Sequence, residues 1–576
     1  MDDFEIENIL INMSDDDVYS SDEFSEFDDT DADEDYFPEG IEHLQNNSES
    51  EASITDATAT ISRQQIQSDQ VSSPDVSINI QQTNQNVAIW GTINTTINYS
   101  NFTYNSTRET VGINPDIYET MYGGSPWEFL SLFLDTEVFN LIVTETNRYA
   151  GQLLSTPLRR HSRLNAWKET NAAEIKRFLG IIMWMGLEHL PTIQNYWAKK
   201  GIYSSKISKY MKVKRFELLL RTFHVSNNHE CPPGDRLFKV QGLVDLLVSK
   251  YKRAYIPEES LCIDESVIPF IGRLSFRQYL KNKRHRYGVK IFKLCVHDGF
   301  TVDFRIYAGK EAVQGLEVST KIVMELTHEY LNFGRTIYTD NWYTSVNLAH
   351  KLLEQNTHLV GTLRANRKQN PKDVVQKKLK KGEVIAQQSD RGIVVLKWKD
   401  KRDVLMLSTK HSDTMIETIN KRGQTTKKPE IVIDYNKGKA LVDICDQRSS
   451  YHSPLRKSMK WYRKVAIEII LSTSVLNAMC LYNKVNKTKI GITEFKEMLV
   501  KDMCGDYEET GKEEVEHKLS KSGKRTRCVK CYDEMVKQGG RKHAQRITKQ
   551  SNYWCAACQK VYCIECFFDD HRVRAK

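Results

Sequence analysis

Arg335-Thr336-Ile337-Tyr338-Thr339-Asp340-Asn341-Trp342-Tyr343-Thr344-Ser345 reads as a short buried strand over 336–339 that ends on a carboxylate and gives way to a helix. Ser345 is a natural cap, and Val346, Leu348, Leu352 and Leu353 follow it at helical spacing. An aspartate at the carboxyl end of a strand sits on the rim of a sheet, where open α/β sheets bind ligands. Many such aspartates only cap the next helix or satisfy a turn, so the reading of Asp340 depends on the other acids of the chain.

Two more acidic segments lie far from it in sequence. Leu261-Cys262-Ile263-Asp264-Glu265-Ser266-Val267-Ile268 is an apolar strand interrupted by acids, and Ala440-Leu441-Val442-Asp443-Ile444-Cys445-Asp446-Gln447 carries two acids three residues apart. On a helix Asp443 and Asp446 share one face. Carboxylates gathered from separate elements repel one another unless a cation neutralises them, and an all-oxygen donor set suits Mg²⁺ or Mn²⁺. Such sites serve phosphodiester cleavage and strand transfer, with Asp264, Asp340, Asp443 and Asp446 as the candidate catalytic, metal-binding acids.

The chain of 576 residues has a formal net charge of +7, which conceals an asymmetry. Residues 1–62 contain 21 Asp plus Glu and neither Lys nor Arg; removing those acids leaves 54 of 75 against all 82 bases. The bulk of the chain is therefore suited to a polyanion such as DNA. The acidic segment and the Gln/Asn/Ser/Thr-rich stretch after it buy too little apolar burial to order themselves, so residues 1–110 are expected to be disordered. No secretory signal and no apolar run long enough to span a membrane is read, which removes membrane and secreted classes.

Helical periodicity dominates 117–260, with helices over 172–187, 215–223 and 240–255. From Leu261 the pattern changes to short apolar runs, giving strands at 261–270, 289–297 and 302–306, a helix at 316–330, the Asp340 strand and its helix, and a strand at 359–363. The order β-β-β-α-β-α-β, with acids on the first and fourth strands, matches a ribonuclease H-like α/β catalytic core over 261–363. Asp443 then lies too far from Asp340 for a simple loop, so 364–430 is expected to be a β-rich insertion domain and 431–456 the second part of the core.

Longer blocks make the reading specific. Ile263-Asp264-Glu265-Ser266, Thr339-Asp340-Asn341-Trp342-Tyr343-Thr344-Ser345 and Val442-Asp443 with Asp446-Gln447 resemble the piggyBac transposase family. So do Arg273-Leu274-Ser275-Phe276-Arg277-Gln278-Tyr279-Leu280, Gly361-Thr362-Leu363-Arg364-Ala365-Asn366-Arg367-Lys368 and Trp461-Tyr462-Arg463-Lys464. The resemblance implies Asp264, Asp340 and Asp443 as a catalytic triad with Asp446 as an accompanying acid. It further implies nicking of double-stranded DNA at transposon ends, hairpin formation and insertion at TTAA targets by a homodimer in the nucleus. The helical parts, 117–260 and 457–510, are then the DNA-binding and dimerisation domain. One departure is Ala440-Leu441, where the family commonly has Gly or Ala.

Near the carboxyl end, Cys528, Cys531, Cys555, Cys558, Cys563, Cys566 and His571 form a cysteine-rich domain over 525–576. Paired thiolates two residues apart grip Zn²⁺ from a turn, and a small domain needs such a staple. Seven ligands fill one tetrahedral site and leave a second one short, with His543 a candidate eighth and a four-cysteine site plus a three-ligand remnant as the alternative. The fold class is thus multidomain α+β with a C-terminal zinc finger. The finger resembles the family's end-reading domain, and the basic run 518–527 before it reads as a nuclear localisation signal or a phosphate-contacting arm. Arg273, Arg277, Lys283, Arg284, Arg286 and Lys290 crowd the first hairpin beside Asp264 and are candidate DNA contacts. Trp342 is expected to pack beneath the site. The competing functional class is a domesticated DNA- or chromatin-binding protein that keeps the fold without transposition, and a ubiquitin ligase built on the finger is a third.

Overall fold

The computed structural model describes residues 88–93, 102–104, 111–199, 201–280, 285–309, 318–419, 425–456, 459–505, 519–555 and 558–572. The acidic segment and most of the polar stretch after it, together with Lys283 and Arg284, lie outside the described residues. The chain divides into two units, 1–505 and 506–576.

Helices lead the first unit. α1 (Thr136–Leu154) starts on Asp135, whose carboxylate accepts from the Val138 N–H at 3.2 Å, and α2 (Ala172–Leu187) on Asn171, which accepts from the Glu174 N–H at 2.9 Å. α3 (Val213–Thr222) and α4 (Phe238–Ala254) follow. Their buried stripes, with Phe139, Phe178, Phe216 and Leu247, join one apolar core, which is where helices of this length obtain their stability.

Ten strands form one sheet: β1 (Trp90–Gly91), β2 (Ser260–Pro269), β3 (Gln278–Tyr279), β4 (Tyr287–Cys295), β5 (Thr301–Ile306), β6 (Thr336–Thr339), β7 (His358–Thr362), β8 (Val384–Ser389), β9 (Val394–Lys399) and β10 (Asp403–Ser408). Their spatial order is β1-β8-β9-β10-β7-β6-β2-β4-β3, and β5 also pairs with β4. Only β6 runs parallel to its neighbours, β2 on one side and β7 on the other. Helices α5 (Val318–Thr327) and α6 (Val346–Glu354) make the two crossovers around β6. Ser345 caps α6 by accepting from the Leu348 N–H at 3.1 Å.

Three strands of 364–430, the region expected as an insertion domain, join the main sheet, while Met415–Ile419 and Thr425–Pro429 pair with each other. β10 pairs antiparallel with β7, Leu407 opposite Gly361, so β8, β9 and β10 extend the sheet of the core. Pairing there satisfies the backbone groups that the edge of β7 would otherwise leave open.

Arg335 sets the register at the centre. Its guanidinium, fully buried, donates to the carbonyls of Pro257 at 2.7 Å, Glu258 at 3.1 Å and Tyr330 at 3.2 Å, which ties the start of β6 to the start of β2. The two strands then run side by side with Ile263 opposite Thr339.

α7 (Glu430–Gly438) and α8 (Ala440–Ser450) follow the sheet, and α9 (Trp461–Glu468), a π turn at Ile469–Thr473 and α10 (Ser474–Val485) make one continuous rod. This rod is long and apolar enough to cross a membrane, contrary to expectation, but 83% of its most apolar window is buried inside the protein. It is the core helix of the first unit, flanked by α11 (Ile492–Cys504), which closes on α2 at Gly180.

The second unit holds β11 (Leu519–Arg527), α12 (Val529–Ile547), β12 (Gln550–Cys555), β13 (Lys560–Val561) and α13 (Ile564–Arg572), with the strands in the order β11-β12-β13. The basic run read as an arm is therefore a strand, with Lys521, Lys524, Arg525 and Arg527 exposed along it.

Candidate active site and cysteine centre

With Ile263 opposite Thr339, the next residues out of two parallel strands are Asp264 and Asp340, and neighbouring strands lie about 4.8 Å apart. Oxygen atoms of Asp264, Glu265 and Asp340 lie within 4.8 Å of one another. Asp340 is held by its own turn: Oδ1 accepts from the Trp342 N–H at 2.8 Å, and its carbonyl accepts from Thr344 Oγ1 at 2.8 Å. Asp264 Oδ1 accepts from the Glu265 N–H at 2.8 Å.

Below this rim Trp342 lies flat on Phe292, ring centres 5.6 Å apart and 13° from parallel, so it packs under the site as expected. Tyr343 stands edge-on to Trp342 and is fully buried. Its hydroxyl has no hydrogen-bond partner among the described residues. Burial, then Glu265, Asp264 and Asp340, push that phenol well above its ordinary range, so the hydroxyl stays protonated in the field of three carboxylates. The three acids, all offering oxygen, form a ligand set that fits a hard divalent cation.

The α8 acids divide. Asp443 is exposed on the first turn of α8, which lies over β2 where Cys262 Sγ contacts the Lys439 carbonyl at 3.4 Å. Burial and then Asp264, with contributions from Asp443 and Asp340, raise the Cys262 thiol. Asp446 takes different partners: Oδ1 accepts from Ser266 Oγ at 2.5 Å and from Lys293 Nζ at 3.1 Å. Neither Asp446 nor Asp443 is in the three-acid group. A small residue is required at Gly438, the end of α7, where a Cβ would lie 2.4 Å from the Tyr338 ring of β6. Leu441, of the Ala440-Leu441 departure, is partly buried and packs against the core three residues after Gly438.

The expected DNA-contacting residues also divide. Arg273 and Arg286 are exposed. Arg277 is half-buried, donating to the carbonyls of Ile271 at 2.7 Å and Gly272 at 3.0 Å while lying over Tyr287, so it holds its own hairpin together. Lys290 turns inward and is buried: its ammonium sits 4.6 Å above the Trp342 ring and 3.8 Å from Glu265 Oε2, which removes it from any DNA-facing surface. Lys283 and Arg284 lie outside the described residues. Sequence reasoning passed over Arg364, whose Nε donates to Asn341 Oδ1 at 2.9 Å, and Arg367, which donates to the Trp342 carbonyl. Both stand in a block already quoted for the family resemblance, which was the available signal.

In the second unit the thiols of Cys528, Cys531, Cys563 and Cys566 lie within 4.8 Å of one another, with Cys531 Sγ 3.5 Å from Cys566 Sγ. The first and third pairs thus share one site, and four thiols in this arrangement fit a tetrahedral zinc ion. Cys555 and Cys558 lie outside that group, with the Cys558 N–H donating to Cys555 Sγ at 3.4 Å. His543 is exposed on α12, and the His571 side chain lies outside the described residues.

A family model described as Transposase IS4 matches residues 125–479, more than half of the chain. Human piggyBac transposable element-derived protein 3 is 24% identical over 484 residues, covering 78% of this chain and 76% of that protein. Human piggyBac transposable element-derived protein 2 is 24% identical over 445 residues, covering 71% and 73%. The cryo-EM structure of a piggyBac transposase synaptic complex with hairpin DNA superposes with a TM-score of 0.62 at 23% identity, covering 79% of this chain and 98% of that one. That likeness carries the fold.

Proposed function

We propose that this chain, which belongs to the piggyBac transposase family, cuts and rejoins DNA with Asp264, Asp340 and Asp443 as its catalytic carboxylates. The observation that carries this reading is the parallel register of β2 and β6, which brings Asp264 and Asp340 out side by side. In the proposed scheme the strands β2 to β7 are a ribonuclease H-like core, and the acids on its rim hold a divalent cation, Mg²⁺ or Mn²⁺. Such a cation, when bound, polarises the scissile phosphodiester and favours attack by a water or a 3′-hydroxyl.

The chain's own residues do the rest by position. The Asp340 turn and the Glu265 N–H hold the two rim carboxylates in fixed orientations, and pre-set charge costs no reorganisation during the reaction. Lys290 sits behind Glu265 and offsets the acidic charge from within the fold. Arg364 and Arg367 brace the loop that follows Asp340, and the exposed Arg364 is placed to meet a phosphate. In the second unit, exposed bases on β11 and on α12 suit a DNA backbone, and the four-cysteine group holds zinc that shapes the unit. The family resemblance supports transposon ends as substrate, hairpinned intermediates, insertion at TTAA, a homodimer as the working form and a nuclear location.

The test is cleavage of the DNA flanking the chain's own gene, with Mg²⁺, by wild type and by Asp340→Asn. Hairpinned ends from the wild type alone support the reading. Binding without cleavage replaces it with a DNA-binding derivative that has lost transposition.

A further inference from the structure

Lys293 is the most deeply buried cation near the rim, 5% exposed on β4 directly across from Asp264. Paired residues of an antiparallel ladder point to the same face, so Lys293 and Asp264 share the side of the sheet that α8 covers. There its ammonium lies 3.1 Å from Asp446 Oδ1 and 3.6 Å from Cys445 Sγ. Ser266, also on that face of β2, donates to the same Oδ1 at 2.5 Å. One oxygen of Asp446 therefore takes both an ammonium and a hydroxyl donor, while Asp264, Glu265 and Asp340 gather without either acid of α8.

We propose that Lys293 withdraws Asp446 from cation binding and makes it the pin that seats α8, and with it Asp443, over β2. Asp446 lies one helical turn after Asp443 on the same face of α8, so fixing the one fixes the height and rotation of the other. A cation taking Asp446 would strip a buried ammonium of the carboxylate it is paired with, leaving Glu468 as a remaining acidic neighbour, and a protein interior penalises that loss. Asp446 and Lys293 are in this scheme positioning residues for Asp443, which acts with Asp264 and Asp340 in the reaction, while Glu265 gathers with those two at the cation. The inference rests on the reading above that the rim carboxylates bind a divalent cation.

The experiment is calorimetric titration of the full chain with Mn²⁺, without DNA, for wild type, Asp264→Asn, Asp446→Asn and Lys293→Met, alongside steady-state DNA cleavage. Asp446→Asn is nearly isosteric, so it serves even if Lys293→Met folds poorly; circular dichroism verifies both. Asp264→Asn is expected to weaken Mn²⁺ binding roughly tenfold or more, and Asp446→Asn to stay within about twofold of wild type. Asp446→Asn is also expected to lower kcat for cleavage roughly tenfold or more at an unchanged KM for DNA, because it disturbs only the seating of Asp443. Lys293→Met frees an acid beside the site and is expected to tighten Mn²⁺ binding. Mn²⁺ binding weakened by Asp446→Asn as much as by Asp264→Asn overturns the inference, and so does unchanged or weaker binding in a folded Lys293→Met. No Mn²⁺ binding by wild type removes the inference together with its premise. Mn²⁺ binding without cleavage removes only the transposase reading, and the titrations still decide the role of Asp446.

Discussion

Arg364 reaches from the loop after β7 to Asn341, Nε to Oδ1 at 2.9 Å, and so clamps the residue next to Asp340. The arginine is exposed, and little of the fold depends on it. Arg364→Ala is therefore expected to leave the melting free energy within about 0.5 kcal/mol of wild type. Single-turnover cleavage should fall roughly tenfold or more, since a small displacement of a reacting group is costly. Equal cleavage rates for the two proteins would show that the clamp is idle.

Gly361 faces the same turn from β7. A Cβ there would lie 2.2 Å from Thr344 Oγ1 and 2.6 Å from the Thr339 carbonyl. Gly361→Ala must push the Asp340 turn away from the sheet. The expected cost is about 1–3 kcal/mol in denaturant unfolding, together with loss of cleavage. A variant as stable and active as wild type would mean that the turn gives way freely.

The four-cysteine group supplies most of what holds the second unit together, because its remaining core is small, with Tyr562 and Phe567 its buried aromatics. The full chain should carry zinc, and Cys531→Ser should lower the zinc content measured by mass spectrometry. Chelation should melt the second unit while leaving the main transition of the first in place. Unchanged zinc content in Cys531→Ser would remove Cys531 from the ligand set.

His224 gives the first unit a sensitivity to acid. Burial, followed by Arg463, Lys239 and Lys460, lowers its pKa to about 3, and it is stacked 3.7 Å from the Tyr149 ring. The unfolded chain binds a proton at this histidine near its ordinary pKa of about 6.5, while the folded chain does not until far lower pH. Stability from this residue is whole above about pH 6.5 and is lost as pH falls toward 3, at up to about 1.4 kcal/mol per pH unit. Urea midpoints at pH 7.5 and 5.5 measure this, and His224→Phe should flatten the difference. An equally steep dependence in the variant would assign the effect to other groups, of which His358, lowered to about 4 mainly by burial, is the first to test.

Much of the core was legible because its signals are local. The strand over 336–339, its cap at Ser345 and the helix bearing Asp443 all follow from short-range pattern, and each formed where its residues implied. Lys290 shows the limit: charge and neighbourhood suggested DNA, yet β4 buries its side chain with the ammonium over the Trp342 ring. Alternation along a strand decides which face a residue takes, and a hairpin rich in bases hides that parity.

Residues close along the chain fix the elements around Asp264 and Asp340, the acids those elements carry and the spacing of cysteines two apart. Only the tertiary structure decided that β8 to β10 extend the main sheet, that Asp446 belongs to Lys293 and Ser266, and that the first cysteine pair joins the third. Each of these is a contact between residues distant in sequence, chosen by which exposed edge, buried charge or thiol pair is left to be satisfied once the local elements have formed.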